Sequence, residues 1–265
     1  MNRGVGEGGA HGTGHRLTIE GEGHPPVSGV MVEAPAPAGL LVLGHGAGAP
    51  MTHPFMEALA LALSAAGIST LRYNFAYAEA GRRRPDPLRR LLAVVASALV
   101  AGRERAGGLP LFAGGKSMGG RMTSMFVAGW PARGPTPDVP AAAGVSATAG
   151  DSGDATAPVA GLVFFGFPLH APGRRGTERG EHLAHVPCPM LFHQGTRDRL
   201  ADLDLLRPLL KQVGPRATLH VVDGGDHSLR MLKRSGRTLD DVLAEVAAVT
   251  AHWAGRAAAA GTATR

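Results

Sequence analysis

Residues 111–122 read LFAGGKSMGGRM, and the serine in this stretch suits two kinds of chemistry. Gly115-Lys116-Ser117 ends like a phosphate-cradling P-loop, whereas Gly115-Lys116-Ser117-Met118-Gly119 is a G-x-S-x-G elbow that presents a nucleophilic serine. The P-loop pattern Gly-x-x-x-x-Gly-Lys-Ser/Thr requires a glycine where Pro110 stands, and the residues between are apolar strand with no room for a cradle. The elbow fits at every position. A strand enters over Leu111 to Gly114, Ser117 sits at the turn, and a helix leaves from Gly119, with Gly115 and Gly119 avoiding clashes between strand and helix.

A serine hydroxyl is weakly nucleophilic and needs a base, which in turn needs an orienting acid. On folds that use this elbow the order along the chain is Ser, then Asp or Glu, then His. Asp198, in LFHQGTRDRLA, falls just past one strand end, and His227, in VVDGGDHSLR, falls just past the next. Both stand in the required order at the carboxyl edge of a parallel sheet. Asp202 and Asp204 lie in a helical pattern and read as solvated or capping. His193 is inside a strand, His182 and His185 are on a helix, and Asp226 reads as a turn former.

The developing oxyanion needs two N–H donors. Met118, next to the nucleophile, is one, and the loop His45-Gly46-Ala47-Gly48 offers the other at Ala47, with Gly46 as the fallback. The same loop carries a decoy, because Gly44, Gly46 and Ala49 satisfy the dinucleotide fingerprint G-x-G-x-x-G/A. Pro50 interrupts the helix entry that fingerprint needs. No carboxylate stands between Glu57 and Glu79 to hold a ribose, which leaves only Arg72 for an NADP phosphate. His182 and His185 have no matching ligand set and read as surface polar residues, so no metal site is expected. His45, Phe75, Tyr77, Phe167 and Leu169, at or just after strand ends, are candidates for the substrate pocket, with core packing as the alternative.

Short apolar runs alternating with helical patterns point to an α/β fold with a mostly parallel sheet. RLTIEGEG and VSGVMVEAP are expected as outer strands, and GLLVLGHG, STLRYNF, LPLFAGG, GLVFFGF, PMLFHQG and ATLHVVDG as the rest. Helices are expected over 54–66, from a cap at Asp86 with Pro87 at the first position to about 105, from Gly119 to Trp130, and from Thr238 to Ala254. In the last, Leu239, Val242, Leu243, Val246, Val249 and Trp253 share one face. The Pro-rich, aperiodic stretch 131–158 reads as a flexible insertion in a single domain over 15–255, with disordered tails over 1–14 and 256–265.

The 265 residues suit one core, and with 44% hydrophobic but only 5% aromatic residues it must be mainly Leu, Val and Ala. The net charge of +6 comes almost wholly from arginine. Arg82-Arg83-Arg84 and Arg174-Arg175 lack interleaved aromatics, so they read as compositional bias rather than a nucleic-acid footprint. Arg174, Arg175 and Arg179 lie in a segment, 171–184, that could cover the site; they either favour an acidic substrate or are solvated. The single cysteine, Cys188, excludes an internal disulfide framework, fits a reducing compartment and reads as a core residue. With no signal-like apolar segment and no run long enough to span a bilayer, the expectation is a soluble, cytoplasmic protein with a small-molecule substrate and no membrane or nucleic-acid partner.

With Ser117, Asp198, His227 and the His45 loop identified, the sequence resembles the α/β-hydrolase superfamily on its dienelactone-hydrolase-like side. More narrowly it is similar to a group of small hydrolase-like proteins that includes a testis-expressed protein and a subunit of the NSL histone-acetyltransferase complex. GHGAGAPMTHPFM, RYNFAYAEAGRRRPDP, GGKSMGGRM, GFPLHAPGR, HQGTRD and GGDHSL carry this likeness over roughly residues 39 to 230. The resemblance implies about eight strands with helices on both faces and no cofactor; beyond 171–184 the sequence shows no segment that reads as a large lid domain. The expected function is a serine hydrolase of small esters or lactones; the alternative is a non-catalytic scaffold that keeps the elbow as a turn.

Overall fold

A computed structural model describes residues 14–130 and 159–262. The expected insertion at 131–158 and the expected N-terminal tail, apart from Gly14, lie outside the described residues. Eight strands form one sheet: β1 (His15–Ile19), β2 (Val27–Val32), β3 (Gly39–Gly44), β4 (Ile68–Tyr73), β5 (Leu111–Lys116), β6 (Gly161–Phe165), β7 (Met190–Gly195) and β8 (Ala217–Val222). Their order is β1-β2-β4-β3-β5-β6-β7-β8. β1 pairs antiparallel with β2 and β2 with β4, while β4 through β8 run parallel. The helices are α1 (Pro54–Ala65), α2 (Ala76–Glu79), α3 (Leu88–Arg105), α4 (Met118–Val127), α5 (Leu203–Val213) and α6 (Leu239–Thr262).

The near-continuous apolar strands are explained by a sheet covered on both faces. Along β3, Leu40 and Val42 pack with α3 and α4, while Leu41 and Leu43 pack with α1 and α6. β5 and β6 divide in the same way. Phe112, Val163 and Phe165 join the α1 and α6 layer, whereas Leu162 and Phe164 join a cluster that also holds Val127 of α4 and Leu206 and Leu210 of α5. On α6 the expected face is the one that faces the core, with Val242, Leu243, Val246 and Trp253 buried and Leu239 and Val249 packed at its margin.

Three expectations are corrected. Asp86 does not cap α3, which starts at Leu88 behind Pro87. Its buried carboxylate instead accepts from Arg82 Nη2 at 2.7 Å and Arg90 Nη1 at 3.2 Å, because two guanidiniums hold a carboxylate more strongly than one backbone N–H does. α6 runs to Thr262, through most of the expected C-terminal tail, since the alanines at 257–260 are the best helix formers and Ala257 is buried. His182 is not a surface residue. It is buried, hydrogen-bonded to Ser124 Oγ at 2.7 Å, and burial among the charges of Arg121 and His185 pulls its pKa down to about 3. Cys188 is a buried thiol, as expected, with its pKa pushed up to about 12 by burial. Among the described residues no helix is long and apolar enough to cross a membrane.

Candidate active site

Because β5, β6, β7 and β8 are parallel neighbours, the loops that follow them meet at one edge of the sheet. Ser117 is the single residue between β5 and α4, and the turn forces it to φ 50° and ψ −117°. Such a conformation costs on the order of 1–3 kcal/mol for a residue with a side chain. The turn is this tight because strand, helix and the end of β3 touch: a Cβ at Gly115 or at Gly119 would lie 2.3 Å from the Gly44 carbonyl oxygen. Gly44 therefore serves helix packing, not a dinucleotide. Arg72 is likewise committed, its Nη1 donating to Met51 O at 2.7 Å.

Among the described residues only one other non-glycine has positive φ, Leu229 at 60°, and it belongs to the turn that carries His227. Asp226 shapes that turn as expected, its Oδ1 accepting from Ser228 N at 2.8 Å and Arg230 N at 3.0 Å. His227 Nδ1 donates to Asp198 Oδ2 at 2.8 Å, and its Nε2 faces Ser117 Oγ, also at 2.8 Å. A carboxylate only accepts, so Nδ1 carries the proton and Nε2 is free to accept one from the serine. The Asp198 side chain is fully buried, whereas that of His227 is 23% exposed, which leaves the base reachable from solvent. Asp202 caps α5 by accepting from Asp204 N, while His193 is bonded to His220 and Thr250 inside the fold.

The His45 loop lies beside the nucleophile. A Cβ at Gly46 would come within 3.6 Å of Ser117 Cβ; Gly46 is buried and Ala47 exposed, while Met118 opens α4. His45 holds this loop: Nδ1 donates to Gly46 O at 2.8 Å and Nε2 accepts from Phe75 N at 3.1 Å. Burial draws its pKa down to about 4, so the ring is neutral and acts as a bolt between two loops. Phe75, Tyr77, Phe167 and Leu169 are also buried, packed in the two clusters on the α3–α5 side. In the segment expected as a cover, Arg175 pairs with Asp202 at 2.5 Å and Arg179 donates to His170 O, whereas Arg174 is exposed.

Sequence reasoning missed two residues. Gln194, buried at the end of β7, donates from Nε2 to Asp198 Oδ2 at 2.5 Å and accepts from Phe167 N at 3.0 Å. It thereby ties the acid to the loop after β6. Lys116, directly before Ser117, is buried with its Nζ on the His227 carbonyl. The only signal for either was a polar residue closing an otherwise apolar strand. Among the described residues no cluster of His, Cys, Asp or Glu has the arrangement of a metal site.

The sequence matches the alpha/beta hydrolase domain family over residues 37–255, and the chain belongs to that family. An esterase domain from Rhodothermus marinus superposes with a TM-score of 0.62 at 14% identity, covering 92% of this chain and 98% of that one. Dienelactone hydrolase from Anabaena variabilis does so with a TM-score of 0.62 at 17% identity, covering 91% and 96%. A Xanthomonas campestris serine hydrolase described as lacking a lid gives 0.61 at 16%, covering 91% and 94%. At these identities the likeness is one of fold.

Proposed function

We propose that this protein is a serine hydrolase that cleaves small carboxylic esters or lactones through an acyl-enzyme. One observation carries the reading: an unbroken hydrogen-bond chain from Ser117 Oγ through His227 to Asp198, with both steps at 2.8 Å. Ser117 attacks the carbonyl carbon as His227 Nε2 takes its proton, and Asp198 holds the imidazolium in place. The oxyanion is received by Met118 N–H and by Ala47 or Gly46 N–H. Collapse of the tetrahedral intermediate expels the alcohol with the proton from His227. Water, deprotonated by the same imidazole, then releases the acid and restores Ser117. Acyl transfer and perhydrolysis share this acyl-enzyme and differ only in the acceptor at the second step. Relatives of this fold whose names specify an esterase and a dienelactone hydrolase support the choice of ester and lactone bonds.

The second reading is a non-catalytic, partner-binding protein. The sealing of Phe75, Tyr77, Phe167 and Leu169 from solvent favours it, as does the narrower resemblance to the group with a testis-expressed protein and an NSL complex subunit. The triad weighs against it, since a scaffold has no physical need for all three side chains in hydrogen-bonding order. Turnover of short-chain p-nitrophenyl esters by the wild type beside Ser117→Ala separates the two. The hydrolase reading expects kcat to fall by about 10⁴-fold or more in the variant, and a fluorophosphonate to label the wild type only. No turnover and no labelling would leave the scaffold.

A further inference from the structure

Lys116, the residue that makes the serine motif look like a P-loop, takes no part in the relay from Ser117 to Asp198. Yet it is only 7% exposed, at the last position of β5. Its Nζ donates to the backbone carbonyl of His227 at 2.6 Å, joining positions 111 apart in the chain. Two carboxylates act on it electrostatically, Asp198 from the loop after β7 and Asp226 from the loop after β8. Gly166, at φ +73°, completes the contact from the end of β6. A Cβ there would lie 2.7 Å from His227 O, 3.2 Å from Lys116 Nζ and 3.5 Å from His227 Nδ1. A glycine at this point is what lets ammonium, carbonyl and imidazole meet.

Withdrawing an ammonium from water is costly, and a methionine of similar length would fill much the same space without that cost. Burial draws the Lys116 pKa down to about 8, against the opposing pull of Asp198 and Asp226. Packing alone gives no reason for a charge here; the group it holds does.

We propose that Lys116 is a positioning residue of the hydrolase site: its ammonium, attracted by the Asp198 and Asp226 carboxylates, clamps the peptide carbonyl of His227 and so holds the imidazole in line with Ser117. This rests on the serine-hydrolase reading above. Lys116 acts through His227, not on substrate, so its loss lowers kcat and leaves KM nearly unchanged. Ser117, His227, Asp198 and Asp226 are the titratable or reactive groups around it, and none of them gains a positive charge as the pH rises past neutrality. Above the lysine pKa the clamp therefore loses its charge with nothing to replace it.

The experiment is the pH dependence, from about pH 6 to about pH 10, of kcat and KM for p-nitrophenyl acetate in the wild type, Lys116→Met and Lys116→Arg. Fluorophosphonate labelling rates and melting temperatures are read alongside. The expected result is a wild-type kcat that falls as the pH rises through about 8. Lys116→Arg, whose guanidinium stays charged, should keep its plateau beyond that point. Lys116→Met should lose about 100-fold in kcat below about pH 8, as a base displaced by about 1 Å would, with the gap to wild type narrowing above that pH and no loss of melting temperature. A wild-type profile flat through this range overturns the proposal without reference to any variant, and so does a Met variant with wild-type kcat. If the wild type neither turns over nor takes the label, the hydrolase reading itself fails and this inference falls with it.

Discussion

Between the sheet and helices α1 and α6, Leu41, Leu43, Phe112, Val163 and Trp253 belong to a layer that is mostly apolar, with His193 and Thr250 as a buried, mutually bonded polar pair. At the carboxyl edge of the same strands, the chain buries Lys116, Gln194 and Asp198, bends Ser117 and Leu229 to positive φ, and closes the gaps with hydrogen bonds. The first region is held by burial, which is nondirectional and tolerant of small shifts. The second is held by partners at fixed distances, where a lost partner leaves a desolvated group behind. The two should therefore fail differently: damage to the layer costs stability and spares the chemistry per folded molecule, whereas damage to the edge costs the chemistry far more than it costs the fold.

The sharpest contrast comes from Asp198→Asn. An amide donates towards His227 Nδ1, the imidazole turns to the tautomer with its proton on Nε2, and the base facing Ser117 is gone. The expected loss in kcat is about 10⁴-fold, with the denaturation midpoint close to wild type. A variant that keeps its activity would break the division between the regions at its centre.

Trp253→Ala tests the other side. Trp253 packs on Phe112 with ring centroids 5.9 Å apart, and its edge fills the space beside Gly161. Removing it should cost about 3–5 kcal/mol in denaturant unfolding, with kcat unchanged for the folded fraction. A large drop in kcat without a loss of stability would show that the two regions are coupled.

The smallest effect is set by pH. His45 and His182 are held far below the ordinary histidine value of 6.5, at about 4 and about 3, because burial disfavours their charged forms. The unfolded chain takes up protons at these positions first, so their contribution to stability is complete above about 6.5 and is lost as the pH falls towards 4. Urea midpoints should decline over that window, and His182→Gln should flatten the decline. His45→Gln should flatten it too and also slow turnover, since His45 bolts the loop beside Ser117. A decline unchanged in both variants would place the acid sensitivity elsewhere.

The apolar layer was almost wholly legible in the sequence. The unbroken apolar run GLLVLG and the spaced residues of α6 are signals written in neighbouring residues. The elbow was legible for the same reason, because strand, turn and helix are contiguous there and the glycines have no other use. Asp198 and His227 were reached by order along the chain and by their place after strand ends. Where a local rule met a stronger partner it failed, as at Asp86, whose carboxylate holds Arg82 and Arg90 instead of a helix end.

By itself, then, the sequence determined most of the strands and helices, the two covered faces of the sheet, the elbow at Ser117, and the order in which Asp198 and His227 follow it. Only the tertiary structure decided that, of the twelve histidines, His227 stands within hydrogen-bonding reach of Ser117. It alone decided that Gln194 holds Asp198, that His45 is a neutral bolt, and that Lys116 closes on the peptide group of His227. The physical reason is distance along the chain. A periodic pattern is written in neighbouring residues, but the partners of a buried polar group come from whichever strand ends the parallel sheet brings to the same edge.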